Sequence, residues 1–421
     1  MELLSVFVSI SRAIGLCNLR YVAERKRFEL DHGLMLGYWL LLNVVYVVLT
    51  PVCFVLMVNS YYSCQGMDML SMAYSCVSLT KSCSLFVVLG SVWLRRQRIR
   101  RVCNGYMRLL ERFTQYHANY SYWRRHLWKL LLSNTRFVVL LNQLFGPGSA
   151  LMCGVDDDEV VTGLPPIYIG LSVAVLLMDL LASCTDSLAY CVVGTSNRLL
   201  ECMSQEALEL TRDLRWLPPS RGRHRAVYQR QLLAAWHRLW HSCRQLDKLL
   251  VELLKIFQAL LLLNVFTNYL TEISLFFNLV VLIADAEFIS PWRCYFYSVV
   301  CLSFHFDILL TFSIFGANQV KWKHLSVRLQ QLWLALKATH VNFRSDTHFK
   351  INSIIYQFNS ILQLEFAMIY LNRRLQPQPR KVRNLQIMGL FDMNRGFWNS
   401  MNASIGMNVL ILWQLAYKNY Y

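Results

Sequence analysis

Charge is scarce in this chain. Of its 421 residues only 16% are Asp, Glu, Lys or Arg, where a soluble protein of this length carries about 25%. Hydrophobic residues make up 55% and the mean hydropathy is +0.34, so an ordinary soluble fold is excluded and an integral membrane protein is expected. No secretory leader is expected either. The opening MELLSVFVSI has Glu2 where a basic n-region would stand, so the first segment is expected to stay inside. The 13 cysteines are scattered, with no CxxC pair and no metal-ligand spacing. GxGxxG, P-loop, GxSxG and HExxH signatures are all absent. We therefore expect no enzyme chemistry, no cofactor and no metal site. Neither a repeat, a low-complexity tract nor a second domain is visible, and residues 1–421 read as one membrane unit.

What the chain does have is long apolar runs. With a span of about 20 residues as the unit, seven candidates stand out, and the expected fold is an all-α bundle of seven transmembrane helices. They are roughly Leu36–Val58, Leu70–Leu94, Leu131–Cys153, Pro166–Val193, Leu254–Ala286, Tyr295–Ala317 and Phe397–Tyr417. Ile351–Leu371 is also apolar, but it holds Asn352, Gln357, Asn359, Gln363 and Glu365. A central charged residue costs about 2.5–3.5 kcal/mol to insert, and spanning there would also carry Arg373–Arg383 outside. It is read as a cytoplasmic helix.

The distribution of Lys and Arg sets the orientation. Arg12, Arg20, Arg25, Lys26 and Arg27 precede the first span, and no basic residue lies near Asn59–Met69. The second loop opens Arg95, Arg96, Arg98, Arg100, Arg101, whereas the third, GVDDDEVVTGLPP, has only acids. The fourth is basic again (Arg221, Arg223, Arg225, Arg230, Arg238, Arg244), the fifth offers Arg293 against Asp285 and Glu287, and the sixth runs from Lys321 to Arg383 with many cations. The alternation places the N-terminus in the cytoplasm and the C-terminus outside, inverted relative to a G-protein-coupled receptor. It also explains the net charge of +17 without a nucleic-acid partner, because the cations flank spans instead of forming a basic domain.

In the fourth loop Leu232, Trp236, Leu239, Cys243, Leu246, Leu250 and Leu253 follow a 4-3-4-3-4-3 spacing. Such a heptad-like seam serves either packing within one subunit or an anchor that holds several subunits together. PPSRGR at Pro218–Arg223 marks a break before it. His237 and His241 stand four apart but lack an acidic or cysteine partner in register. Asp156–Glu159 reads as a solvated loop tip, and the sequons at Asn119 and Asn402 fall where glycosylation is not expected. Cys64 and Cys294 both fall on the outer side, where a disulfide is chemically allowed.

Ionisable groups inside spans are costly unless they face a cavity or a partner. Lys81, Arg136, Asp179, Lys255, Glu272 and Asp307 qualify, and Lys255 lies close enough to the boundary to snorkel. Asp179, Glu272, His305 and Asp307 lie deeper, with Tyr74, Tyr168, Tyr269, Tyr297 and Phe304 in the outer halves of the spans. Polar groups converging among aromatics suit a small-molecule pocket; pairing between helices to fix packing is the alternative. The final span is also polar. At about 100° per residue, Ser400, Ser404, Met407, Asn408, Ile411, Gln414 and Leu415 share one sector. Ile405, Val409, Leu412, Trp413 and Ala416 take the other side, with Asn402 as the exception there.

The lead-in to that span, Gly389-Leu390-Phe391 with Asn394, resembles the GLFxxN lead-in of insect gustatory receptors. The family's last helix carries TYhhhhhQF, where h is apolar. Here the stretch is Met407-Asn408-Val409-Leu410-Ile411-Leu412-Trp413-Gln414-Leu415, which keeps the apolar run and Gln414 and replaces Thr, Tyr and Phe by Met407, Asn408 and Leu415. The motif covers only the C-terminal stretch; the topology covers the chain. The resemblance implies a taste receptor of the plasma membrane of sensory neurons. Such a receptor is a tetrameric, ligand-gated, non-selective cation channel, built from copies of itself or from related gustatory receptor subunits amid membrane lipid. It further implies a pore lined by Ser404, Met407, Asn408, Ile411, Gln414 and Leu415. A small nonvolatile tastant would bind among Tyr74, Tyr168, Asp179, Tyr269, Glu272, Phe304, His305 and Asp307. Cytoplasmic helix ends would form the anchor, here at Leu232, Trp236, Leu239 and Leu246. A non-conducting accessory subunit and a secondary transporter are the competing expectations.

Overall fold

The computed structural model describes residues 8–9, 11–12, 15–16, 18–64, 68–113, 166–216, 223–284, 291–344, 386–387 and 391–420. The expected span Leu131–Cys153, the helix at Ile351–Leu371, the acidic tip and the Asn119 sequon lie outside them. The helices are α1 (Leu34–Cys64), α2 (Asp68–Leu94), α3 (Arg96–Arg112), α4 (Pro166–Arg215), α5 (Arg223–Ala284), α6 (Pro291–Arg344) and α7 (Arg395–Tyr420). Among the described residues four stretches are long and apolar enough to cross a bilayer: Leu34–Val55, Ser75–Leu94, Ala234–Val280 and Ser298–Leu332. Crossing the roughly 30 Å hydrocarbon core takes only about 20 helical residues. Yet α4, α5 and α6 run to 50, 62 and 54 residues, more than twice that thickness at about 1.5 Å per residue.

The surplus length builds a second layer. Lys321 Nζ lies 2.7 Å from Glu201, and the Arg328 guanidinium donates to the Ser204 carbonyl, so the C-terminal ends of α4 and α6 run side by side. Helix α5 joins them through Cys243, whose thiol lies 3.7 Å from the Met203 sulfur. Helix α3 joins through Arg112, which donates to the Ser242 hydroxyl. Helix α3 is strongly amphipathic. Ile99, Val102, Cys103, Tyr106, Leu109 and Leu110 are buried while the arginines between them face out, the pattern that a 3.6-residue period requires of a helix lying on a core. Its contact with α5 is close enough that a Cβ at Gly105 would come within 2.5 Å of Leu249. Deeper in, Asn318 donates to Asn197 Oδ1 at 2.6 Å and Asn197 donates to the Ile314 carbonyl. Both amide nitrogens are thus satisfied within the core, while the Asn318 Oδ1 is buried without a hydrogen bond among the described residues.

The all-α expectation needs one amendment. Strands β1 (Leu19–Val22) and β2 (Arg27–Leu30) pair antiparallel, with Lys26 in the left-handed region at the turn (φ 47°). A shorter ribbon joins β3 (Gln386–Ile387) to β4 (Phe391–Asp392) just before α7. The first ribbon has a purpose. The Asn104 side chain accepts from the Phe28 amide at 2.7 Å and donates to its carbonyl at 3.0 Å. A side-chain amide thus pairs with β2 as a further strand would and seats buried Phe28 on α3. Arg12 closes the same region on Asp31 at 2.7 Å.

Candidate functional site

Helix α7 begins at a built cap. The Asn394 side-chain oxygen accepts the Phe397 amide proton at 2.9 Å, the preferred chemistry for a helix N-terminus. A Cβ at position 396 would approach that oxygen to 3.2 Å, so Gly396 leaves it room. Met393, just ahead, is completely buried. The first turn is then gripped by α6: Phe397 lies 5.7 Å from Phe312 between ring centroids, and Trp398 lies 5.2 Å from His305.

Beyond that turn the helix has two faces. Met401, Ile405 and Val409 are buried against the bundle and Leu412 is partly buried. Met407 (62% exposed), Ile411, Gln414 and Leu415 face away from it. Ser404 and Asn408 sit at the border. The Asn408 side-chain nitrogen donates to the Tyr269 hydroxyl at 2.8 Å and to the Ser404 carbonyl at 2.8 Å. Tyr269 and Ser404 share a 2.7 Å hydroxyl contact. The structure therefore brings Tyr269, expected in a ligand pocket, together with two residues expected at the pore.

One turn along α5, buried Glu272 (1% exposed) lies 3.3 Å from His305 Nδ1. Phe276 meets the same imidazole edge-on at 6.5 Å. Glu272 and His305 thus meet between α5 and α6, and Trp398 brings α7 to the same point. Asp307 is buried on α6. Phe304 packs in a separate apolar cluster with Leu275, Val300 and Cys301. Tyr74 lies on α2, and Tyr168 and Asp179 lie on α4; their side chains are outside the described set.

The anchor residues pack inside their own chain, one of the two roles that their spacing allows. Leu232, Trp236, Leu239 and Leu246 are all buried within their own chain, the last two completely. They belong to the same apolar core as Leu109 of α3 and Met203 of α4. Seven-residue spacing cannot distinguish a partner helix in the same chain from one in another, and here α3 and α4 take the seam. His237 and His241 point outward instead, and among the described residues no three His, Cys, Asp or Glu side chains gather as a metal site would require. In this layer burial raises the Glu206 carboxyl above its ordinary range, against the opposing pull of Arg112 and Arg238.

Sequence reasoning missed the Asn394 cap and the grip of Phe397 and Trp398. An Asn followed by an apolar run is a recognised helix start, so the cap was open to discovery; the aromatic contacts across α6 were not.

Comparison with known proteins bears on all of this. The family model described as 7tm chemosensory receptor matches residues 4–419. A Drosophila melanogaster protein assigned as gustatory receptor 58c is 34% identical over 420 residues, covering 99% of this chain and 98% of that one. The solved structure of the insect olfactory receptor OR5 from Machilis hrabei, in complex with eugenol, has a similar fold. It matches with a TM-score of 0.63 over 98% of each chain at 11% identity.

Proposed function

Because the chain belongs to the 7tm chemosensory receptor family, we propose that it is a gustatory receptor acting as a ligand-gated, non-selective cation channel. A small nonvolatile tastant opens it at the plasma membrane, and α7 of each of four subunits lines the pore. The family is one of chemoreceptors, not of enzymes. The OR5 relative is a complex with a small molecule, eugenol, which supports small-molecule recognition here.

The observation that carries the pore reading is the division of α7. One face is used up in its own subunit by Met401, Ile405 and Val409. The other presents Met407, Ile411, Gln414 and Leu415, all exposed among the described residues. A glutamine amide directed at lipid is unfavourable, so this face requires protein or water. A shared axis supplies both. Rings of Ile411 and Leu415 gate by dewetting, and a ring of Gln414 amides passes hydrated cations with little selection.

The test is a ligand-evoked cation current in cells expressing the receptor alone or with related subunits. Gln414→Ala should change ion selectivity or gating, and unchanged currents would remove Gln414 from the pore. A purified protein that stays monomeric, with no ligand or partner producing current, overturns the channel reading. Met407 and Asn408 replace the Thr and Tyr of the family motif, and this departure favours the accessory-subunit reading as the second choice.

A further inference from the structure

Serines and threonines on these helices mostly bond within their own helix. Thr271 donates to the Thr267 carbonyl, Ser274 to that of Leu270 and Ser400 to that of Gly396. Such bonds satisfy a hydroxyl locally and leave the helix free to move. Ser404 and Asn408 break this habit by reaching across to α5.

The bonding chemistry is directional. A carbonyl only accepts, so the Asn408 atom 2.8 Å from the Ser404 carbonyl is the amide nitrogen. That nitrogen also donates to the Tyr269 oxygen, and the Tyr269 and Ser404 hydroxyls share a further bond at 2.7 Å in which either can donate. One phenol on α5 is thus held by two residues one turn apart on α7.

Its position along α7 matters as much as its chemistry. The inner half is fastened by the Asn394 cap, the two aromatic contacts and three buried side chains. Val409 is the outermost of the described α7 side chains that is buried; from Leu410 to Leu415 none is. The Tyr269 bonds sit at the boundary between the fastened half and the outer half. Resting on the channel reading above, we propose that Tyr269, Ser404 and Asn408 form a latch between α5 and α7. The latch restrains the outer half of α7 in the arrangement seen here and is released when the receptor is activated. Tyr269 is on this view a positioning residue for gating and not a contact for the tastant.

Tyr269→Phe removes one oxygen and keeps the ring, so the full-length receptor should fold. The readout is the rate at which a small methanethiosulfonate reagent modifies Val409→Cys in receptors in cell membranes, with the receptor lacking that cysteine as background. Adding Tyr269→Phe is expected to speed modification about ten-fold, the scale of losing two interhelical bonds. Asn408→Leu removes one of those bonds and should speed modification about three-fold, and adding it to Tyr269→Phe should add little beyond Tyr269→Phe alone. A change under about two-fold, or full additivity, overturns the latch. Should Val409→Cys fail to reach the surface, Leu412→Cys reports on the same face. In recordings, Tyr269→Phe should lower the half-maximal tastant concentration several-fold. Faster modification with an unchanged concentration dependence overturns the gating role. Absence of current from the unmodified receptor counts against the channel reading, while the modification rates still decide the latch.

Discussion

At the scale of single residues, the structure turns several sequence features into physical parts. Asn394 was legible as one letter of a lead-in motif; its reason is that its side chain satisfies an amide that no preceding turn can. Gly396 follows because a larger residue would crowd that oxygen. Glu206 allows a prediction. Burial raises its pKa above the ordinary 4.5, so between that value and the folded one the folded state holds more protons than the unfolded. Stability therefore falls as pH rises through that window, and the loss persists above it. Glu206→Gln should raise the thermal midpoint of the purified receptor near neutral pH, with the gain shrinking as pH is lowered toward 4.5. A lower midpoint at neutral pH would mean that Arg112 and Arg238 outweigh the burial.

At the scale of elements, the seam on α5 shows where periodicity stops being informative. Leu232, Trp236, Leu239 and Leu246 repeat as a coiled coil would, and their burial in their own chain makes them core. Leu239→Ala should then cost about 2–5 kcal/mol, as for other fully buried leucines cut to alanine. The loss should appear as a lower unfolding temperature in a monomeric preparation as well as in any assembly. A variant that unfolds normally yet fails to assemble would restore the intersubunit role. Helix α7 is the converse case. Its two faces were visible as a polar sector and an apolar one, because a single helix needs only its own 3.6-residue period to separate them.

At the scale of the whole molecule, the basic ends of α3, α4, α5 and α6 meet in one layer, joined by Lys321 to Glu201, Arg328 to Ser204 and Arg112 to Ser242. Gathering so many cations on one side of the apolar stretches supports a cytoplasmic assignment for that side. Helix α7 leads away from this layer, from Phe397 beside Phe312 to Ser404 beside Tyr269, so the proposed orientation puts its C-terminal end outside. An epitope tag at the C-terminus should therefore be detected on intact cells, and one at the N-terminus only after permeabilisation. The reverse pattern would overturn the orientation and with it the pore direction.

By itself the sequence determined the class of protein, its family and the amphipathic split of α7. Hydropathy, charge placement and short motifs are local quantities, summed along one strand of chain, and they need no partner to be read. Only the tertiary structure decided what the polar groups touch. Tyr269 and Asn408 are 139 residues apart, and Glu272 meets His305 from another helix. Whether such a residue lines a pocket, pins a helix or closes a latch depends on how long helices pack. That packing also turned the seam inward and sent α4, α5 and α6 far beyond the bilayer, because apolar faces outside lipid remain exposed to water unless neighbouring helices cover them.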